Sequence, residues 1–174
     1  GRGLPRDDEV AEALTRQVAR APRLVWEIAP DAEESELAFA YGETIARLKR
    51  LVDRYPQIEA LLLDDMSSVK IDLGFKPSHI RHIRELLCGE HARVRVWGVV
   101  YTMNLDREGI KDYLKELDVI NLWTWHARDI VNLEANVAHC KRLFPDKPIV
   151  LGLYLYDYGD NRRIPIETLE YQCS

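Results

Sequence analysis

The apolar positions along the chain switch repeatedly between a helical and an extended period. Asp8 to Arg20 reads as an amphipathic helix and Arg23 to Ile28 as a strand, followed by the acidic loop "APDAEESEL". From Ala40 to Tyr55, Ile45, Leu48, Leu51 and Val52 share one helical face, and Pro56 ends that helix. Ile58 to Asp64 is the second strand; the unbroken apolar run Ala60 to Leu63 is the pattern of a strand covered on both faces. Pro77 suits the first turn of a helix that runs to Cys88 and stops at Gly89. "RVRVWGVVYTM" is the third strand. A helix opened by "LDREG" follows, with Ile110, Tyr113, Leu114 and Leu117 along it. "DVINLWTW" is the fourth strand, Asp129 to Phe144 a helix, and Pro145 and Pro148 bracket the turn into a fifth strand, "IVLGLYLYDY". A last helix begins at Pro165.

Five strands alternating with helices predict an α/β protein with a parallel sheet. Leu24 to Ala60 spans 36 residues, Ala60 to Val96 36, Val96 to Val119 23 and Val119 to Ile149 30, long enough for right-handed crossovers. The long loops follow strands one, two and five. The helix-to-strand turns, such as "PQ" and "PDKP", are short, which is how a (β/α) barrel of the TIM type places a site. A doubly wound sheet would carry a Gly-rich phosphate turn, and no GxGxxG or Walker loop is present. Residues 1–174 therefore read as a single barrel domain. A full barrel typically takes about 250 residues, so five βα units imply an excerpt of a longer barrel with exposed sheet edges.

Composition changes little. The 174 residues are 47% hydrophobic and 30% charged with a net charge of −5, so no basic field recruits nucleic acid. "KPSHIRHIRELLCGEHARVR" reads as a helix with a solvated cationic face. No apolar run reaches the roughly 20 residues of a membrane span. Cys88, Cys140 and Cys173 form no CxxC pair and suit buried thiols better than a zinc site or disulfide framework. No motif calls for a cofactor or metal, and the compartment is left open.

The strand ends carry the chemistry. Strand one ends with Trp26, Glu27 and Asp31; strand two with Asp64 and Asp65; strand three with Trp97, Tyr101 and Asn104. Strand four ends with Trp123, Trp125, His126 and Asp129, and strand five with Tyr154, Tyr156, Asp157, Tyr158 and Asp160. Aromatic rings offer apolar faces to sugar C–H groups, and glycosidic cleavage needs two carboxyl groups flanking the bond. An oligosaccharide or polysaccharide is the substrate this rim suits. Asp64 and Asp65 would point to opposite faces of a regular strand. Asp65, nearer the loop, is the candidate for chemistry and Asp64 the brace, with Glu27 or Asp157 as the second carboxylate. Tyr101, Asn104, Trp123, Trp125, His126 and Tyr156 are the candidate substrate-binding residues. Each has a plainer reading: a strand-stopping Asp pair, a loop-bonding His126, tyrosines in strand core, a capping Asp157. Trp97 is expected in the core.

The strand ends "LLLDDMS", "WGVVYTMN", "NLWTWHARD" and "LGLYLYDYG" resemble those of bacterial (β/α)8-barrel proteins related to glycoside hydrolases, over roughly residues 58 to 160. The resemblance implies a carboxylate-bearing barrel that binds or cleaves a glycan, without naming the sugar. Two other classes stay open. One is a metal-dependent sugar isomerase or hydrolase using Glu27, Asp65, His126 and Asp157 as ligands; no HxH or HExxH supports it. The other is a non-catalytic glycan-binding barrel. A Schiff-base mechanism is disfavoured because no lysine stands at a strand end.

Overall fold

A computed structural model describes residues 3–30, 40–67, 69–153, 155–157 and 159–173. Asp31, Tyr154, Tyr158 and all but the first two residues of the acidic loop lie outside the described residues. Five strands form one parallel sheet in sequential order: β1 (Leu24–Ile28), β2 (Ile58–Leu63), β3 (Arg95–Tyr101), β4 (Val119–Trp123) and β5 (Ile149–Leu151). Between them lie α2 (Gly42–Arg54), α3 (Val69–Asp72) and α4 (Pro77–Leu86), then α5 (Ile110–Leu114) and α6 (Leu133–Leu143); α1 (Asp8–Gln17) precedes β1. Among the described residues the sheet is open, with β1 and β5 each paired on one side only. The order has no switch point, against the doubly wound alternative, and the central architecture is α/β with flanking helices.

Strand register assigns the two faces. Ile28, Leu63, Gly98 and Ile120 stand side by side across β1 to β4, as do Val100 and Leu122 on β3 and β4. Apart from Gly98, these residues join Ile45, Leu48, Ile80, Ile83 and Leu114 in the main hydrophobic core. The opposite face carries Glu27, Leu62, Trp97 and Val119 in one row, Val99 and Asn121 in the next, and Tyr101 beside Trp123 at the carboxyl ends. This face is less covered: Leu62 and Trp97 are only half-buried. In the run Ala60 to Leu63, Leu61 and Leu63 are fully buried on the helix side, while on the other face Ala60 is buried and Leu62 half-buried. Trp97 is not a member of the main core either; it stands on the open face, with the Arg95 guanidinium 5.6 Å over its ring.

The two ends of the sheet differ in kind. At the amino ends, cations clamp the short helix-to-strand turns through otherwise orphan carbonyls. Arg93 donates to Val52, Pro56 and Ile58, Arg84 to Glu116, and Lys147 to Lys115 and Leu117. These bonds serve stability. The loops beyond the carboxyl ends hold α3 and an antiparallel hairpin, β6 (Tyr156–Asp157) and β7 (Arg162–Arg163), before α7 (Ile166–Cys173).

Several local readings change. The fifth strand stops at Leu151, and Tyr156 and Asp157, expected in the same strand, form β6 of the β6–β7 hairpin. The helix expected from Asp129 begins as a 3-10 turn over Ala127–Asn132 and becomes α-helical at Leu133. Of the cysteines only Cys140 is buried; Cys88 and Cys173 are exposed. Among the described residues no helix is long and apolar enough to cross a membrane.

Candidate functional site

The chain leaves β2 through a turn that a regular strand cannot make. Asp65 has φ +48°, a left-handed conformation that costs a non-glycine residue roughly 1–2 kcal/mol. Local bonds hold it there. The Asp65 N–H donates to the Asp64 side chain at 2.9 Å, and the Tyr101 hydroxyl donates to Asp65 Oδ1 at 2.6 Å. Strand parity therefore does not separate the two side chains. The Asp64 carboxylate accepts from the turn's own backbone, and Asp65 reaches the open-face residue Tyr101.

Glu27, on β1 beside β2, feels the charges of both aspartates. Burial pushes its carboxyl above the ordinary range, and the Asp64 charge, with a smaller contribution from Asp65, pushes the same way. Lys70 opposes that shift. Gly3 leaves room for Glu27: a Cβ there would lie 3.3 Å from Glu27 Oε1. Lys70, in α3, donates its ammonium to the Asp64 carbonyl. Burial pushes its ammonium below the usual lysine range, opposed by Asp64, Asp65 and Glu27. A lysine does stand at this strand end, contrary to expectation. In sequence it hides six residues past Asp64, in a one-turn helix with no amphipathic signature.

The aromatic residues divide between this group and its neighbours. Trp125 meets Tyr101 edge-on, ring centroids 5.1 Å apart. Trp123, last in β4, lies against Gly152: a Cβ there would fall 2.0 Å from Trp123 Cε2. The Tyr101 backbone N–H donates to Ser67 Oγ at 3.0 Å, joining the third strand end to the second. Asn104 sits in the 3-10 turn after β3, and its buried Oδ1 finds no hydrogen-bond partner among the described residues.

A second group forms between the loops after β4 and β5. Asp157 is fully buried. Desolvation raises its pKa, but backbone N–H groups of Asp160, Ala127 and Gly159 and the Arg162 charge outweigh that and hold it below the ordinary range. His126 Nδ1 lies 3.5 Å from Asp160 Oδ1, packed so closely on Gly159 that a Cβ there would fall 1.9 Å from it. Tyr156 donates to Asn161 Oδ1 at 2.7 Å. The four-residue ligand set expected of a metal enzyme is thus divided. His126 and Asp157 meet at Asp160, close enough together to hold an ion, while the charges of Glu27 and Asp65 act on Lys70. Arginines already occupy the His126–Asp157–Asp160 group, Arg162 at 3.6 Å from Asp157 and Arg128 at 3.6 Å from Asp160. Asp157 is therefore braced by its own loop, the capping role weighed against catalysis. Lys70, Ser67, Gly152 and Gly159 were not singled out in the sequence; the two glycines are legible only once their neighbours are known.

The fold and rim together define an α/β protein whose parallel strands gather carboxylates and aromatics at their carboxyl ends. No family model matches the chain, and no curated protein matches it in sequence. Among solved structures it is similar to the Bacillus cereus spore cortex-lytic enzyme SleL, with 14% identity and a TM-score of 0.55 over 95% of this chain and 45% of that one. At that identity the likeness shows the fold alone. The chain spans less than half the length of that enzyme.

Proposed function

We propose that this chain is the glycan-acting portion of a (β/α)-barrel glycoside hydrolase. Glu27 is the general acid, Asp65 the nucleophile or general base, and Asp64 the brace of the turn. Tyr101, Trp123 and Trp125 offer ring surface to the sugar, with Asn104, His126 and Tyr156 for its hydroxyls. The observation that carries the reading is Glu27. It is a carboxyl kept in its acid form to higher pH by burial and by the neighbouring Asp64, on the same rim as a second carboxylate bonded by Tyr101. Two carboxyl groups whose surroundings differ is the arrangement glycosidic cleavage uses. The fold likeness to a cortex-lytic enzyme supports the same substrate class.

The test is turnover on a panel of polysaccharides that includes purified spore cortex. Wild type is expected to release reducing ends from at least one. Glu27→Gln and Asp65→Asn should each lower the rate by about 10²–10⁴ with oligosaccharide binding kept. Turnover that survives both substitutions overturns the assignment. Binding without turnover in wild type leaves a glycan-binding barrel instead.

A further inference from the structure

We propose that Lys70 is a positioning residue of this rim: its ammonium ties down the turn that carries Asp64 and Asp65 and supplies positive charge to the three carboxylates. The inference rests on the reading of Glu27 and Asp65 as the working pair. Lys70 holds the turn twice, its backbone N–H on the Asp65 carbonyl at 3.3 Å and its side chain on the Asp64 carbonyl. The Phe75 N–H on the Lys70 carbonyl at 2.9 Å fastens the other side of α3. Desolvating an ammonium is costly unless charge or hydrogen bonds compensate, and here both do. The left-handed Asp65 is then held by three neighbours: Asp64, Tyr101 and Lys70.

The electrostatic consequence falls on Glu27. Among the described residues, the charges that act on it are Asp64 and Asp65 from the turn after β2 and Lys70 from α3. Without Lys70, the carboxylates act on Glu27 with less opposition. Its carboxyl then holds its proton to still higher pH, and the alkaline limb of a general-acid profile moves up with it. Lys70 thus sets the upper edge of the working pH range without touching the scissile bond.

The experiment compares Lys70→Met, Lys70→Gln and Lys70→Arg with wild type. Carbon-13 NMR follows the Glu27 carboxyl through a pH titration in the unliganded protein, and turnover is measured across the same range. Met and Gln should both move the Glu27 titration and the alkaline limb upward, and Arg should restore both to near their wild-type positions. A folded Met or Gln variant whose Glu27 titrates as in wild type overturns the proposal. If both fail to fold, Glu27→Gln reads the same coupling from the other end: the Lys70 ammonium should titrate lower, and an unmoved Lys70 overturns the proposal. The NMR readout needs no turnover. An inactive wild type with a coupled Lys70 would sink the hydrolase reading and leave the electrostatic one standing.

Discussion

Gly152→Ala is a sharp test of how the aromatic rim is built. The Gly152 N–H donates to the Leu122 carbonyl at 2.9 Å, which fixes the backbone beneath the indole. The new Cβ would lie 2.0, 2.1 and 2.6 Å from Trp123 Cε2, Cδ2 and Cζ2. Carbon atoms rest at about 3.5–4.0 Å, so the ring has to retreat by roughly 1.5–2 Å. Overpacking of this kind costs about 1–3 kcal/mol. If Trp123 is a sugar platform, the displaced ring also forfeits an aromatic contact worth about 0.5–1.5 kcal/mol, a two- to tenfold loss of oligosaccharide affinity. The assay is a double-mutant cycle with Trp123→Ala, read by denaturant melts and by glycan titration. The alanine should cost stability and affinity beside Trp123 and little once the indole is gone. Equal losses in both backgrounds would refute the packing argument; unchanged affinity in Gly152→Ala would refute the platform.

Three further outcomes follow from the same geometry. Because burial raises the folded-state pKa of Glu27, the stability it contributes is present at acid pH and is lost as pH rises through that value. Glu27→Gln should therefore raise the melting temperature relative to wild type at pH 7 and lose that advantage near pH 4; a lower melting temperature at pH 7 would contradict the burial. Tyr101→Phe removes the 2.6 Å bond to the half-exposed Asp65 and should cost about 1 kcal/mol in urea unfolding, with no cost counting against the bond. Burial pushes the Cys140 thiol up to about 11, so at pH 8 a thiol reagent should label Cys88 and Cys173 quickly and Cys140 only on unfolding; fast labelling of all three would contradict the core packing of α6.

Much of the frame was legible because its signals are local. Pro56 and Pro77 mark helix boundaries, and the apolar runs of β2 to β4 mark buried strands, so the order of elements could be read from period alone. The strand ends were legible by position, which puts Glu27 on β1 beside the end of β2, where the Asp64 and Asp65 charges act on it. Their geometry was not, because it depends on a left-handed residue where parity predicts an extended one. Lys70 was missed because α3 is four residues long, too short to show a period. The hairpin was missed for a related reason: "YLYDY" reads as more strand, whereas Tyr156 and Asp157 pair with Arg163 and Arg162 of β7, and Arg162 lies 3.6 Å from the buried Asp157. Trp97 was misplaced because aromatics in a strand suggest core, whereas register puts it on the face the helices do not cover.

The claim that the carboxyl-end rim meets a glycan is tested most directly by the indole N–H resonances of the four tryptophans during an oligosaccharide titration. Trp123 and Trp125 belong to the rim, whereas Trp26 packs against the hydrophobic core on the other side of the sheet. Saturable shifts are expected at Trp123 and Trp125, with Trp26 unmoved. Saturable shifts at Trp26 alone, or no shift at any indole with a glycan that the protein demonstrably binds, would contradict it.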